Sequence, residues 1–469
     1  MILPQIRAGA VALIALAAFH GPAGVHQGQN AREVWEKPIA PGLVYRMEYD
    51  PVRPMVLNGL RLTLKAPSVR AEPVLAGGTV YEDGPTKGRG TVTQMVAENH
   101  ALAGINGDYF PFTGHPLGLM VHNGELLGLP RKNRAVFAWG PNDLALGLAK
   151  YTGSFKPEGG DSTPIDGLNE ECPDNSVVLN MSVSGYAIAP KRPSIAAVLK
   201  VNTDKLAPST ELVATVEYLV PDADRTPVKA GTAMLVAEGD KIPAVTGLKA
   251  GQQVSLNIQT EGFDWEHIDN CVGGGPILLR DGKVLLDDEG FDKVAFVDKQ
   301  HPRSAIGRTA NGDMWFVTID GRQETGSGVS LTELANEMKR LGCVDAMNLD
   351  GGGSSAINIL GVLVNRPSDG IERPVANGIV LFGPQPRLSD VQLHLIIPKS
   401  LDMNTQPYFE VRDAGGQKVP NREVIWGAMG AGWLDQGGLF HPLRPGKAHI
   451  QAAARGQVMT ADVDVSKGN

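Results

Sequence analysis

Residues 330–355 read SLTELANEMKRLGCVDAMNLDGGGSS and carry the clearest fold signal in the chain. Ser330 followed three residues later by Glu333 matches a capping box, in which each side chain accepts from the other residue's free backbone N–H. Leu331, Leu334, Ala335, Met338 and Leu341 then recur at helical spacing, and Gly342 supplies the stop. An apolar run over 344–349 has the length of a strand and ends in Asp350-Gly351-Gly352-Gly353. A helix leading into a strand with polar residues at its carboxyl end is a place where α/β sheets hold ligands. The stretch therefore predicts an α+β or mixed α/β catalytic domain with mixed sheets and few helices.

Working outward, the same Gly/Asp-rich style fills 270–383 and reappears near Asn106-Gly107-Asp108. Residues 30–80 tend to alternate apolar and polar positions, as strands and turns do. Residues 91–100 suggest a short helix with Val92, Met95 and Val96 on one side, leading into an apolar strand, Ala103-Gly104-Ile105. Residues 155–265 are Val/Thr-rich and less dense in glycine, which reads as a β-rich insertion. Beyond Pro384 the Asp-Gly clusters stop and strand-like runs continue to the end. The expected organisation is a leader over 1–25, a catalytic domain over 30–385 and a small β-sandwich-like domain over 386–469. That last domain has no catalytic pattern, so the chemistry is expected to survive its removal.

Composition narrows the function. Of 469 residues, 42% are hydrophobic and 20% charged, as in a soluble globular protein. A net charge of −8 with no long Lys/Arg run argues against nucleic acid as a partner. Arg7, the apolar run 8–19 and the small residues Gly21, Ala23 and Gly24 have the layout of a secretory signal peptide. The expected location is therefore periplasmic or secreted, with no transmembrane segment beyond the leader. Cys172 and Cys271 flank one internal segment, so an oxidising compartment would pair them and leave Cys343 as a buried thiol.

Four motifs can carry chemistry. Gly104-Ile105-Asn106-Gly107-Asp108 presents Asn106 and Asp108 at a strand end, with glycines that admit a ligand close to the backbone. Gly273-Gly274-Gly275-Pro276 offers the N–H groups of Gly274 and Gly275 to an anion. His301-Pro302-Arg303, a strand through Trp315, then Asp320-Gly321-Arg322, can deliver two guanidinium groups to one phosphate. Asn348-Leu349-Asp350-Gly351-Gly352-Gly353-Ser354-Ser355 sets a carboxylate beside Gly352 and the Ser354 hydroxyl, where three glycines would weaken any packed element. A polar loop from Asn365 and Arg366 to Asn377 can close the site.

In this order the four motifs resemble the phosphodiester glycosidase family. The resemblance runs over about 91–381 and implies hydrolysis of a sugar–phosphate diester, releasing the sugar and a phosphomonoester. It also implies that Asn106, His301, Arg303, Asp320, Arg322, Asn348, Asp350 and Arg366 belong to the site. The expected substrate is a phosphate-linked glycan or glycoconjugate, and no cofactor or metal is expected.

A glycosyl phosphodiester has a good leaving group, so the chemistry needs mainly a carboxylate and cations. Asp350 is the first candidate for the carboxylate, with Asp320 or Asp108 second. Arg303 and Arg322 would hold the phosphate, and His301 would protonate the departing oxygen or orient a water. Two other classes stay open. A non-catalytic carbohydrate-binding envelope protein would want aromatic platforms, against which only 6% of residues are aromatic. A metal-dependent phosphodiesterase would use Asp108, Asp320 and Asp350 as oxygen ligands.

Overall fold

Alternation of inward and outward side chains shapes the first strands. In Leu43–Asp50 the side chains of Leu43, Tyr45 and Met47 turn inward, and the partner Met55–Thr63 is buried on both faces over most of its length. These strands lead the principal sheet of a computed structural model that describes residues 32–285 and 289–468. The leader expected over 1–25 lies outside the described residues. The sheet has eight strands, ordered Glu33–Ala40, Leu43–Asp50, Met55–Thr63, Asp313–Ile319, Arg303–Thr309, Cys343–Asn348, Ile277–Arg280 and Lys283–Val284.

Each face of this sheet has its own cover. On one side Ala305, Trp315, Val317 and Ile319 pack against Leu331, Leu334, Ala335 and Met338 of the helix Leu331–Arg340. That helix starts on the expected capping box, with Ser330 and Glu333 exchanging hydrogen bonds. On the other side Leu60, Ile306, Phe316 and Met347 meet two five-stranded sheets, through Ile105 and Ile379 of one and Phe137 and Val272 of the other. The short helix Val92–Glu98 covers the far face of the first of these.

The far face of the second five-stranded sheet, with Leu119, Val121 and Cys271, packs on a further eight-stranded sheet formed within residues 150–261. Leu179, Leu199 and Leu235 lie on its inner face, and Val178, Val198 and Val236 on its outer face. After Phe382 the chain forms a four-stranded sheet and two two-stranded ones around their own apolar cluster. From this region Ile425, Trp433 and Ala453 join the central core, and Trp433 packs 5.0 Å from Tyr49 between ring centres. No helix among the described residues is long and apolar enough to cross a membrane.

The expected α+β or mixed α/β fold class is overturned. The protein is 46% strand and 9% helical, and its sheets are antiparallel throughout, apart from two short edge pairs. The expectation rested on the helix followed by Cys343–Asn348. That helix does join two strands running the same way, but Arg303–Thr309 lies between them and pairs antiparallel with both. No sequence periodicity announces an intervening strand that comes from earlier in the chain.

The expected Cys172–Cys271 disulfide is overturned as well, because all three cysteines are free thiols. Cys172 packs on the outer face of the 150–261 sheet and Cys271 belongs to the core on its inner face. Flanking one segment in sequence set them on opposite sides of a sheet.

Candidate active site

Antiparallel register brings the motifs to one end of the central sheet. Arg303 is opposite Ile319, Ala305 opposite Asn348, and Ile277 opposite Met347. Arg303, Asp320, Asn348 and Gly275 therefore emerge together. The strand Ala103–Asn106 of a five-stranded sheet arrives at the same place, and Asn106 fastens the layers. Its Nδ2 donates to the Asp350 carbonyl at 2.7 Å, while its Oδ1 accepts from Ser304 Oγ at 2.7 Å and from the Ala356 N–H at 3.2 Å. A buried amide that meets three partners orders the site and keeps one Nδ2–H to donate.

Asp350 is held by the turn of three glycines. Its N–H donates to the Gly107 carbonyl at 3.1 Å, and its carboxyl accepts from Ser354 and from the Gly351 N–H. Desolvation pushes this carboxyl up to about 6, against the opposing pull of those hydrogen bonds and of the Arg373 charge. Asp108 is buried beside it. Asp108 Oδ1 accepts from the Tyr109 N–H at 2.7 Å and Oδ2 from the Gly118 N–H at 2.6 Å. Burial also pushes Asp108 up to about 6, and the negative charge of Asp350 adds to the rise. A Cβ at Gly118 or Gly273 would come within 2.5 Å of Asp108 Oδ2, so these glycines make room for the carboxylate.

Asn348 holds its neighbours through Nδ2, while its buried Oδ1 has no partner. Its Nδ2 donates to the Tyr109 hydroxyl at 2.6 Å and to the Gly275 carbonyl at 3.0 Å, and the Tyr109 hydroxyl donates to that same carbonyl at 2.8 Å. The Arg134 guanidinium lies over Tyr109 and Phe291, 4.9 and 3.8 Å from the ring centres. The glycine run itself is not the expected anion cradle. The Gly274 N–H goes to Ala135 and the Gly275 N–H to Asn348, both backbone carbonyls, which leaves neither free for an anion.

The third motif divides. Arg303 is buried and donates to the carbonyls of Val329, Phe296 and Lys299 at 3.0, 2.6 and 2.9 Å. It clamps the turn at 296–299 and, among the described residues, pairs with no carboxylate. Burial lowers it to about 10. His301 Nε2 lies 3.0 Å from the Ala295 carbonyl and Nδ1 lies 2.8 Å from Arg322 Nη2. A guanidinium can only donate, so Nδ1 is the acceptor and Nε2 carries the proton. Desolvation and the neighbouring Arg303, Arg322 and Lys299 charges lower the ring's pKa and favour this neutral form. Both nitrogens are engaged, and through Nδ1 His301 holds Arg322 in place.

Arg322 is exposed and lies against the fourth motif: a Cβ at Gly352 would sit 3.4 Å from its Nη2. The backbone there takes a φ of +62°, which suits glycine. Arg322 also lines a cavity of about 570 Å³ with Arg366 and, from the C-terminal region, Arg444. Asp320 stands apart from the other two carboxylates. Its Oδ2 accepts from the Arg366 N–H at 3.1 Å, its Oδ1 has no partner, and burial pushes it up to about 7. Asp108, Asp320 and Asp350 therefore form no single ligand set. Among the described residues no group of three or more His, Cys, Asp or Glu side chains is placed to hold a metal ion.

Sequence reasoning passed over Tyr109, Arg134, Arg373 and Arg444. Tyr109 directly follows the first motif and Arg373 stands inside the polar loop. Arg373 donates to Asp369 at 2.6 Å and reaches Ser354 Oγ at 3.4 Å. Arg134 and Arg444 have no local signal, since distant strands bring them in.

The class that these motifs indicated is found by comparison too: the phosphodiester glycosidase family matches residues 197–382, which hold the second, third and fourth motifs. Asn106 and Asp108 fall outside the match. Over 155 residues, 31% of this chain, the sequence is 33% identical to the SPbeta prophage-derived protein YomE of Bacillus subtilis. Over 103 residues, 21% of this chain, it is 38% identical to the human N-acetylglucosamine-1-phosphodiester alpha-N-acetylglucosaminidase. These stretches span 24% and 19% of the two relatives' own lengths. The fold is shared with a Burkholderia pseudomallei protein described as exported, at a TM-score of 0.61 and 18% identity over 77% of this chain and 97% of that one.

Proposed function

We propose that the protein is a glycosidase that hydrolyses a sugar-1-phosphodiester, with water adding at the sugar's C1 and the phosphate leaving as a phosphomonoester. One observation carries the reading: Arg322, which lines the arginine-rich cavity, lies against Gly352 of the turn that follows Asp350. A turn that bears a carboxylate and a cation that lines the cavity are thus adjacent. With its pKa near 6, Asp350 is mainly ionised at neutral pH and still basic enough to attack C1 or to take a proton from water. Arg322 steadies the phosphate as negative charge moves onto it, which is where a guanidinium fork stabilises most. His301 positions Arg322, and Asn106 and Asn348 hold the strand ends. Export fits the leader-like sequence at 1–25.

The test is a panel of sugar-1-phosphodiesters followed by release of free sugar and phosphomonoester, with wild type beside Asp350→Asn. Wild type should release both products in equal amounts. No release from any member of the panel would refute the reading.

A further inference from the structure

The cavity beside Arg322 is built by three segments of the chain that no single sequence motif connects. Arg322 and Glu324 come from the loop after Asp320, and Arg366 and Ser368 from the polar loop. Gly430 and Arg444 come from the C-terminal region. Its volume of about 570 Å³ lies in the range of small-molecule sites.

Its charge is unbalanced. Three guanidinium groups line it with one carboxylate, Glu324, which is shared between Arg444 at 3.2 Å and Arg366 at 3.9 Å, while the buried Asp320 carboxyl behind the lining also attracts Arg366. Arg366 is only 9% exposed, donates to the Gly430 carbonyl at 3.2 Å, and keeps a buried Nε with no acceptor. The Ser368 hydroxyl and Gln323 Oε1 are likewise buried without partners. Orphaned polar groups are rare in folded proteins and point to a missing partner. A phosphodiester brings one negative charge, and the lining carries three positive charges against one negative.

We propose that the C-terminal region completes an anion subsite on the leaving-group side, so that the preferred substrate is a sugar phosphodiester whose leaving alcohol carries a further oxyanion. The scissile phosphate sits at Arg322, beside Gly352. The additional oxyanion sits between Arg366 and Arg444, where Arg444 exchanges Glu324 for the ligand. Arg444 acts here as a specificity residue and takes no part in bond breaking. This assignment of substrate rests on the glycosidase reading, whereas the anion subsite itself does not.

The experiment uses the full-length protein in two arms. In the first, inorganic phosphate is titrated into wild type, Arg444→Gln and Arg412→Gln, the last removing a C-terminal arginine outside the cavity. Arg444→Gln should weaken phosphate binding about threefold to tenfold, the range expected for losing one partly exposed charge-assisted contact. Arg412→Gln should bind as wild type does, and equal affinity in all three proteins would overturn the subsite. In the second arm, diesters of one sugar with a neutral or a phosphorylated leaving alcohol are compared. The phosphorylated one should show the lower KM, and Arg444→Gln should shrink that gap. Turnover without any gap would overturn the proposed preference and leave the glycosidase reading standing. Arg444-dependent phosphate binding with no turnover of either diester would sink the glycosidase reading and keep the subsite.

Discussion

Residues 150–261 and the strands after Phe382 are both rich in strands and both lie outside the central sheet. Their relations to the site are opposite. The 150–261 sheet packs on a five-stranded sheet that lies between it and the central sheet, so two apolar layers separate it from the strand ends. The C-terminal strands put Ile425 and Trp433 into the central core and bring Gly430 and Arg444 to the cavity. A region with no catalytic pattern can still line a cavity beside the motifs, because tertiary packing carries its residues there.

The largest effect expected comes from the centre, and it sets the scale for both regions. Asp350→Asn keeps the side chain's size and loses its charge, so kcat should fall by about 10²–10⁴-fold while a thermal melt shows the fold intact. Turnover should rise with pH through about 6 as the carboxyl ionises. Asp108→Asn removes a neighbouring negative charge, so that rise should move to lower pH. A folded Asp350→Asn protein with near-normal kcat would hand the role to another carboxylate.

The C-terminal region provides the next largest effect. Trp433 is 5% exposed and stacks on His441 at 4.1 Å, so Trp433→Ala should cost about 3–5 kcal/mol, read as a lower denaturation midpoint. A chain ending at residue 385 should lose more than that and raise KM as well. A truncated protein with wild-type stability and kinetics would erase the contrast between the two regions, and it would restore the expectation that the C-terminal part stands apart from the chemistry.

Asp320 should give a smaller effect of opposite sign. Its carboxyl is raised from the ordinary range to about 7. The stability it contributes is therefore complete below about 4 and is lost as pH rises through 7. Asp320→Asn should raise the melting temperature at pH 8 more than at pH 5, by about 2–4 °C for each kcal/mol relieved. A collapse of turnover in this variant, with no gain in stability, would make Asp320 the working carboxylate.

The smallest effect concerns the 150–261 sheet. Three thiols should react in denatured, unreduced protein, and a reductant should leave the melting temperature unchanged. One free thiol would mean that Cys172 and Cys271 are joined after all, which the sheet between them opposes.

What the sequence determined by itself was local. Ser330 and Glu333 cap the helix, Leu331, Leu334 and Met338 give it an inner face, and Asp350 follows a strand into a turn that only glycines fit comfortably. Such features depend on residues three or four apart, and their physics is complete within a few turns of chain. The motif order likewise carried the family resemblance. Only the tertiary structure decided the rest. Arg303–Thr309 slides between two strands that run the same way and makes an antiparallel sheet of an apparent α/β unit. Three backbone carbonyls capture Arg303, and Arg322 takes the place beside Gly352. Asp108 comes to share the neighbourhood of Asp350 while Asp320 turns to Arg366. Arg444 arrives from the far end of the chain. Burial, pairing partners and electrostatic neighbours are set by residues hundreds of positions away, and no local pattern encodes them.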